Sequence, residues 1–151
     1  MIRTIALAGV VTIVVAGCGI VEVPLLGPLA IRGGDEGFEV AVCEAISARG
    51  FSMSERKSDD SEWIYFWEAD QRVDIRDGDI LSPSRGSDFG LPDGSEPAMA
   101  PGSAVDIFIL DQSGDGADTI SAAFHVPDEG LPTLQWLHPD GSVSDEACGD
   151  D

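Results

Sequence analysis

The sequence predicts an all-β fold, a single antiparallel β-sandwich, and three observations carry that expectation. Short segments alternate apolar with polar residues, the period of a half-buried strand. Clusters of Gly, Pro, Asp and Ser separate these segments at short intervals, as in sandwiches built from many short strands. No stretch holds a 3.6-residue period over three turns; residues 39–49 come nearest, and they alternate better than they wind. With 43% hydrophobic and 24% charged residues, the 151-residue chain has the composition of a globular protein and the length of one domain. No internal repeat is visible.

The first segment stands apart from the sandwich. Arg3 supplies a positive start, residues 5–16 form an apolar run, and Ala16 and Gly17 are a small pair directly before Cys18. A run of about a dozen residues is too short to cross a bilayer, which takes roughly 20. A plain secretory cleavage site has no need of a cysteine just after the cut. Together Val15, Ala16, Gly17 and Cys18 resemble the lipobox of bacterial lipoproteins. The resemblance implies that residues 1–17 are a signal peptide, removed from the mature chain, and that the Cys18 thiol carries diacylglycerol. It also implies an extracytoplasmic protein, lipid-anchored to the cell membrane, where two acyl chains make the anchor stable. Residues 18–30 then read as a lipidated tether, 31–143 as the sandwich and 144–151 as an acidic C-terminal tail.

Pro24, Gly27 and Pro28 interrupt the tether, which runs into a first edge strand, because proline is tolerated at an edge and not in a central strand. Within 38–46, Phe38, Val40 and Val42 share one face, and Ala41, Cys43 and Ala45 the other. A short strand follows at 50–54, then a charged turn or loop at 55–61. Residues 63–67 are the most strand-like of the chain, aromatic and β-branched throughout. Trp63, Tyr65 and Trp67 fall on one face there, Ile64 and Phe66 on the other. Residues 71–75 alternate again and end in a turn at 76–79, followed by Ile80 and Leu81. The Pro-, Gly- and Ser-rich stretch 82–104 is a loop of a length that compact domains reserve for function or leave disordered. Phe89 and Leu91 are its local packing residues. Residues 105–110 and 119–126 make a hairpin, with Ile120, Ala122, Phe124 and Val126 on one face and Thr119, Ser121 and His125 on the other. A last strand at 134–137 precedes the turn 138–141.

Cys43 on an early strand, Trp63 on the next long one and Cys148 late in the chain are loosely similar to an immunoglobulin-type domain over about residues 30–140. The resemblance is one of architecture and carries no functional residues. Cys148 stands in the tail instead of on a penultimate strand, and no tyrosine corner precedes it. With Cys18 assigned to lipid, Cys43 and Cys148 are an even pair in an oxidising compartment, so a disulfide between them is expected. If Phe38, Val40 and Val42 face the core, that bond lies outside the sandwich and fastens the tail to the sheet's surface. It closes a loop of about a hundred residues, worth on the order of 4–5 kcal/mol in the chain-entropy model.

Lys plus Arg number 8 against 28 Asp plus Glu, a net charge of −20. Phosphate backbones are repelled, which excludes nucleic acid as a partner. Anionic lipid is disfavoured too, leaving the lipid anchor to hold the protein at its membrane. A solvated acidic surface that resists aggregation accounts for the charge. The expected binding patch is the row Trp63, Tyr65 and Trp67, spaced about 7 Å apart by the strand rise. Such residues anchor interfaces and stack on sugar faces. One side of that strand is core; the other is covered by the 82–104 loop or left open. Calcium is the second candidate, and no other cofactor is expected. Asp111, Ser113 and Asp115 occupy positions one, three and five of a loop of EF-hand type, with Gly116 at six and Asp118 adding a carboxylate. Position twelve is Ala122 instead of a bidentate glutamate. The competing reading of this turn is a hairpin loop rich in residues that tolerate left-handed backbone.

No reaction signature is present: there is no GxSxG elbow. His125 reads as a solvent-facing strand residue and His138 as a turn residue beside Pro139. Glu62 and Glu68 are carboxylates of the kind a glycosidase pairs, a role that only their separation decides. The residues therefore point to a non-catalytic binding or interaction module, with an unknown protein or cell-wall polymer as partner. A calcium-assisted binder of carbohydrate or cell-wall polymer is the alternative, and a small hydrolase the third reading.

Overall fold

Two antiparallel sheets face each other in the computed structural model, which describes residues 27–35, 37–57, 62–83, 97–111 and 119–149. The described residues hold nine strands and no helix. These are β1 (Leu29–Gly34), β2 (Gly37–Val42), β3 (Ile46–Arg56), β4 (Glu62–Ile75), β5 (Ile80–Leu81), β6 (Ala104–Leu110), β7 (Thr119–His125), β8 (Trp136–Leu137) and β9 (Val143–Ser144). One sheet runs β5-β2-β1-β8-β9 and the other β4-β3-β6-β7. Taking β1, β2 and β5 as strands A, B and E, and β3, β4, β6 and β7 as C, C′, F and G, the orders become E-B-A and C′-C-F-G. That is the Greek-key arrangement of an immunoglobulin-like sandwich, extended beyond A by β8 and β9. No described helix is long and apolar enough to cross a membrane.

The core lies between the sheets and follows the alternation of each strand. Phe38, Val40 and Val42 of β2 and Leu29 and Ile31 of β1 meet Phe51 and Met53 of β3, Val105, Ile107 and Ile109 of β6, and Ile120 and Phe124 of β7. Each fully buried side chain of this kind contributes roughly 1.5–3 kcal/mol. Phe51, on β3, is the largest fully buried side chain among the described residues, whereas Trp63 sits on the edge strand β4.

Several boundaries differ from the sequence expectation, each for a tertiary reason. β1 is not an edge strand: it is paired on both sides, with β2 and with β8 through Ile31 and Leu137. Pro28 precedes it, and therefore costs the ladder nothing. Glu55 and Arg56 belong to β3 instead of a loop, held by β4 on one side and β6 on the other. Residues 63–67 and 71–75 are one strand, β4, whose register against β3 jumps between Ala48 and Gly50. The break that the sequence shows at 68–70 is thus a bulge, where β4 carries residues that β3 does not match. The turn at 76–79 closes with Gly78 at φ 82°, a conformation that favours glycine. Cys18, Phe89 and Leu91 lie outside the described residues.

Candidate functional site

Alternation along β4 gives its two faces different fates. Trp63 and Tyr65 pair with Glu55 and Met53 of β3, both buried, so these two side chains turn to the interlayer side. Tyr65 packs against the core, while Trp63, at the margin of the sheet, stays 54% exposed. Ile64 and Phe66 pair with Ser54 and Ser52 and face outward, 70% and 46% exposed. The sequence favoured Trp63, Tyr65 and Trp67 as the open row; the outward row is Ile64 and Phe66. Trp67 pairs with Phe51 through its backbone, and its side chain lies outside the described structure.

The outward row continues across the sheet. Ser52 pairs with Phe66 on one side and with Phe108 of β6 on the other, and Phe108 pairs with Ser121 of β7. The next row runs Ile64, Ser54, Asp106, Ala123. Cross-strand partners share a face, so the small Ser52 and Ser54 form the floor of a shallow trough. Its walls are Ile64 and Phe66 on β4 and Phe108 on β6, two strands or roughly 10 Å apart. Asp106 closes one end of the trough, accepting a long hydrogen bond of 3.5 Å from the Ser54 hydroxyl. Large apolar side chains gathered on an exposed face mark interaction sites, whereas scattered single ones do not.

Behind this face lies a buried acid. Glu55 is fully buried, and its Oε1 accepts the Ala100 N–H at 2.8 Å. It thereby ties the segment 97–103 to β3. Met99 in this segment takes φ 44° and is buried in the core. Burial, and secondarily the Glu55 carboxylate, raise the Tyr65 phenol above its ordinary 10.0.

The remaining sequence candidates separate. Asp111 accepts from the Arg72 guanidinium, so a bound cation would have to compete for that carboxylate. Ser113, Asp115 and Asp118 lie outside the described residues, among which no group of three or more His, Cys, Asp or Glu is placed to hold a metal. Glu62 pairs with Arg56 at 3.7 Å and Glu68 with Arg49 at 4.0 Å. Six residues apart on one strand, the two carboxylates are roughly 20 Å apart, beyond the ~5–10 Å of a glycosidase pair. His125 is exposed, as expected. His138 is not simply a turn residue, because it is buried with its Nε2 2.8 Å from the Ser144 hydroxyl. That hydroxyl donates its proton to the Glu146 carbonyl at 2.6 Å. Nε2 must therefore be the donor to Ser144, which is the reverse of a base poised to activate a nucleophile. The pair holds β8 to β9.

The other sheet's outer face is covered around Trp136, while Ile80 at its margin, opposite Ala41, stays 49% exposed. Cys43 and Cys148 are joined by a disulfide. Ala147, beside it, packs on Ala30, Ala41 and Trp136. The Arg32 guanidinium lies 4.2 Å from the centre of the Trp136 ring, and pairs with Glu39 at 2.6 Å. The bond is outside the interlayer core, fastening the tail to the sheet. No family model, no curated protein and no solved structure matches this chain.

Proposed function

We propose that this chain is a lipid-anchored, extracytoplasmic binding module that does no chemistry of its own and holds a protein or cell-wall polymer at the membrane surface. The observation that carries the reading is the open outer face of β4-β3-β6, where Ile64, Phe66 and Phe108 stand exposed around Ser52 and Ser54. A stable monomer gains nothing from three large apolar side chains gathered in water, whereas a partner that covers them does. The Cys43–Cys148 bond agrees with an oxidising compartment, and the lipobox-like Val15 to Cys18 supplies the anchor.

Two measurements in intact cells test it. An alkyne fatty acid should label the wild-type chain and not Cys18→Ser; equal labelling of both removes the anchor. A photo-crosslinking residue at Phe66 should give a discrete adduct that the same residue at Glu129, an exposed turn position, does not. Identical patterns at the two positions would refute the binding face.

A further inference from the structure

Building on the binding-module reading, we infer that the occupant of this face is an extended polypeptide segment rich in Lys or Arg, which adds as a new strand along the edge of β4. Among the described residues β4 pairs with β3 alone, so its other side is a sheet edge. Proteins guard such edges with shortness, proline, lysine or a bulge. The second half of β4 is guarded in this way, by the bulge and by Asp70, Arg72 and Asp74. The first half is not. It is Trp63, Ile64, Tyr65 and Phe66, apolar on both faces in turn. That profile belongs to a strand with neighbours on both sides. Trp63 and Ile64 are the more exposed of the four, one on each face of the sheet. An added strand would pair with the β4 backbone and send alternate side chains over both.

Charge selects the occupant. Glu62 and Glu68 bracket the apolar stretch, Asp70 follows, and Asp106 lies in the Ile64 row, two strands in from the edge. Among the described residues Arg56 and Arg49 pair with Glu62 and Glu68 and Arg72 with Asp111, so the four carboxylates of β4, Glu62, Glu68, Asp70 and Asp74, outnumber the three guanidinium groups beside them. A second copy of the chain brings another net charge of −20 and is repelled. A cationic strand is attracted, and its lysines would stand opposite Glu62, Glu68 and Asp70 with apolar residues opposite the stretch between them.

The test uses the full chain in mild detergent with its disulfide formed, and two labelled peptides. One is Lys-Lys-Val-Thr-Val-Thr-Val-Lys-Lys; the other has Glu in place of every Lys. The lysine peptide should bind in an anisotropy titration at least tenfold more tightly than the glutamate peptide, and weaken as salt is raised. Ile64→Lys, at an exposed position that leaves the melting temperature unchanged, should cost another tenfold. Hydrogen exchange should show the peptide protecting those β4 amides that do not bond to β3. Equal binding of both peptides, or protection at β7 instead, overturns the inference. So does protection of the β4 edge before peptide is added: in a monomer it means that another segment of this chain covers the edge, in a dimer a second copy. A discrete adduct at Phe66 in cells without peptide binding sinks this inference and leaves the binding module standing. Peptide binding without any adduct does the opposite.

Discussion

The two outer faces of this sandwich are built alike and finished differently. On each, small residues lie among large ones: Ala30 and Ala41 beside Trp136 on the five-stranded sheet, Ser52 and Ser54 between Ile64, Phe66 and Phe108 on the four-stranded one. Over the alanines the chain returns, with Ala147 packed down, Arg32 laid across Trp136 and Cys43–Cys148 holding the return in place. Trp136 is consequently 4% exposed, while Ile64 on the opposite face is 70% exposed. A covered apolar side chain contributes to folding. An uncovered one is left for association, since burial is favourable whichever molecule supplies the cover.

The largest way to break this contrast is to remove the fastening. Replacing Cys43 and Cys148 together with serine should cost about 4 kcal/mol in urea unfolding, by the entropy of a long closed loop. It should also shift the fluorescence of Trp136 to the red as the tail lifts. A fluorescence unchanged by the double substitution would mean that the tail docks without the bond. Next in size, Trp136→Ala should destabilise by about 3 kcal/mol. Phe66→Ser with Phe108→Ser should cost less, about 1–2 kcal/mol for the pair, because each side chain is already close to half exposed. If the two faces cost the same, the open face is covered in the native protein. Smaller still, Arg32→Gln should lose about 0.5–1 kcal/mol, the size of a partly exposed cation–π contact.

The smallest effect is one of pH. Burial and Glu55 hold the Tyr65 proton in the folded state above its ordinary 10.0. Below pH ~10 the phenol is neutral in both states, and its contribution is fully present. Above that the unfolded chain ionises first, so stability falls as pH climbs through the folded value. Tyr65→Phe should flatten that part of the alkaline unfolding curve, and an unaltered slope would show that Tyr65 is not the group responsible.

Much of this architecture was legible in the residues. The alternation of Phe38, Val40 and Val42 against Ala41 and Cys43 marked which face of β2 is core, and hence that the disulfide lies outside it. The same period in Ile120, Ala122, Phe124 and Val126 marked the inward face of β7. β4 was harder to read, because Trp63 to Phe66 is apolar on both sides and period two then carries no sign of which face is inward. The neighbour decided it: Met53 and Glu55 of β3 are buried, Ser52 and Ser54 are not, and pairing in register passes that choice to β4. The position of β1 was hidden for a similar reason. Pro28 allows an edge, and only β8, arriving from more than a hundred residues later, fills it.

Composition and local period were enough for the all-β class and the core faces of β2 and β7, because side-chain alternation acts over a few residues at a time. The cysteine count alone left Cys43 to pair with Cys148 once Cys18 was set aside. Which apolar face was left bare and how Glu55 and His138 came to be buried depended on partners distant in sequence. Those contacts form only when the two sheets close on one another.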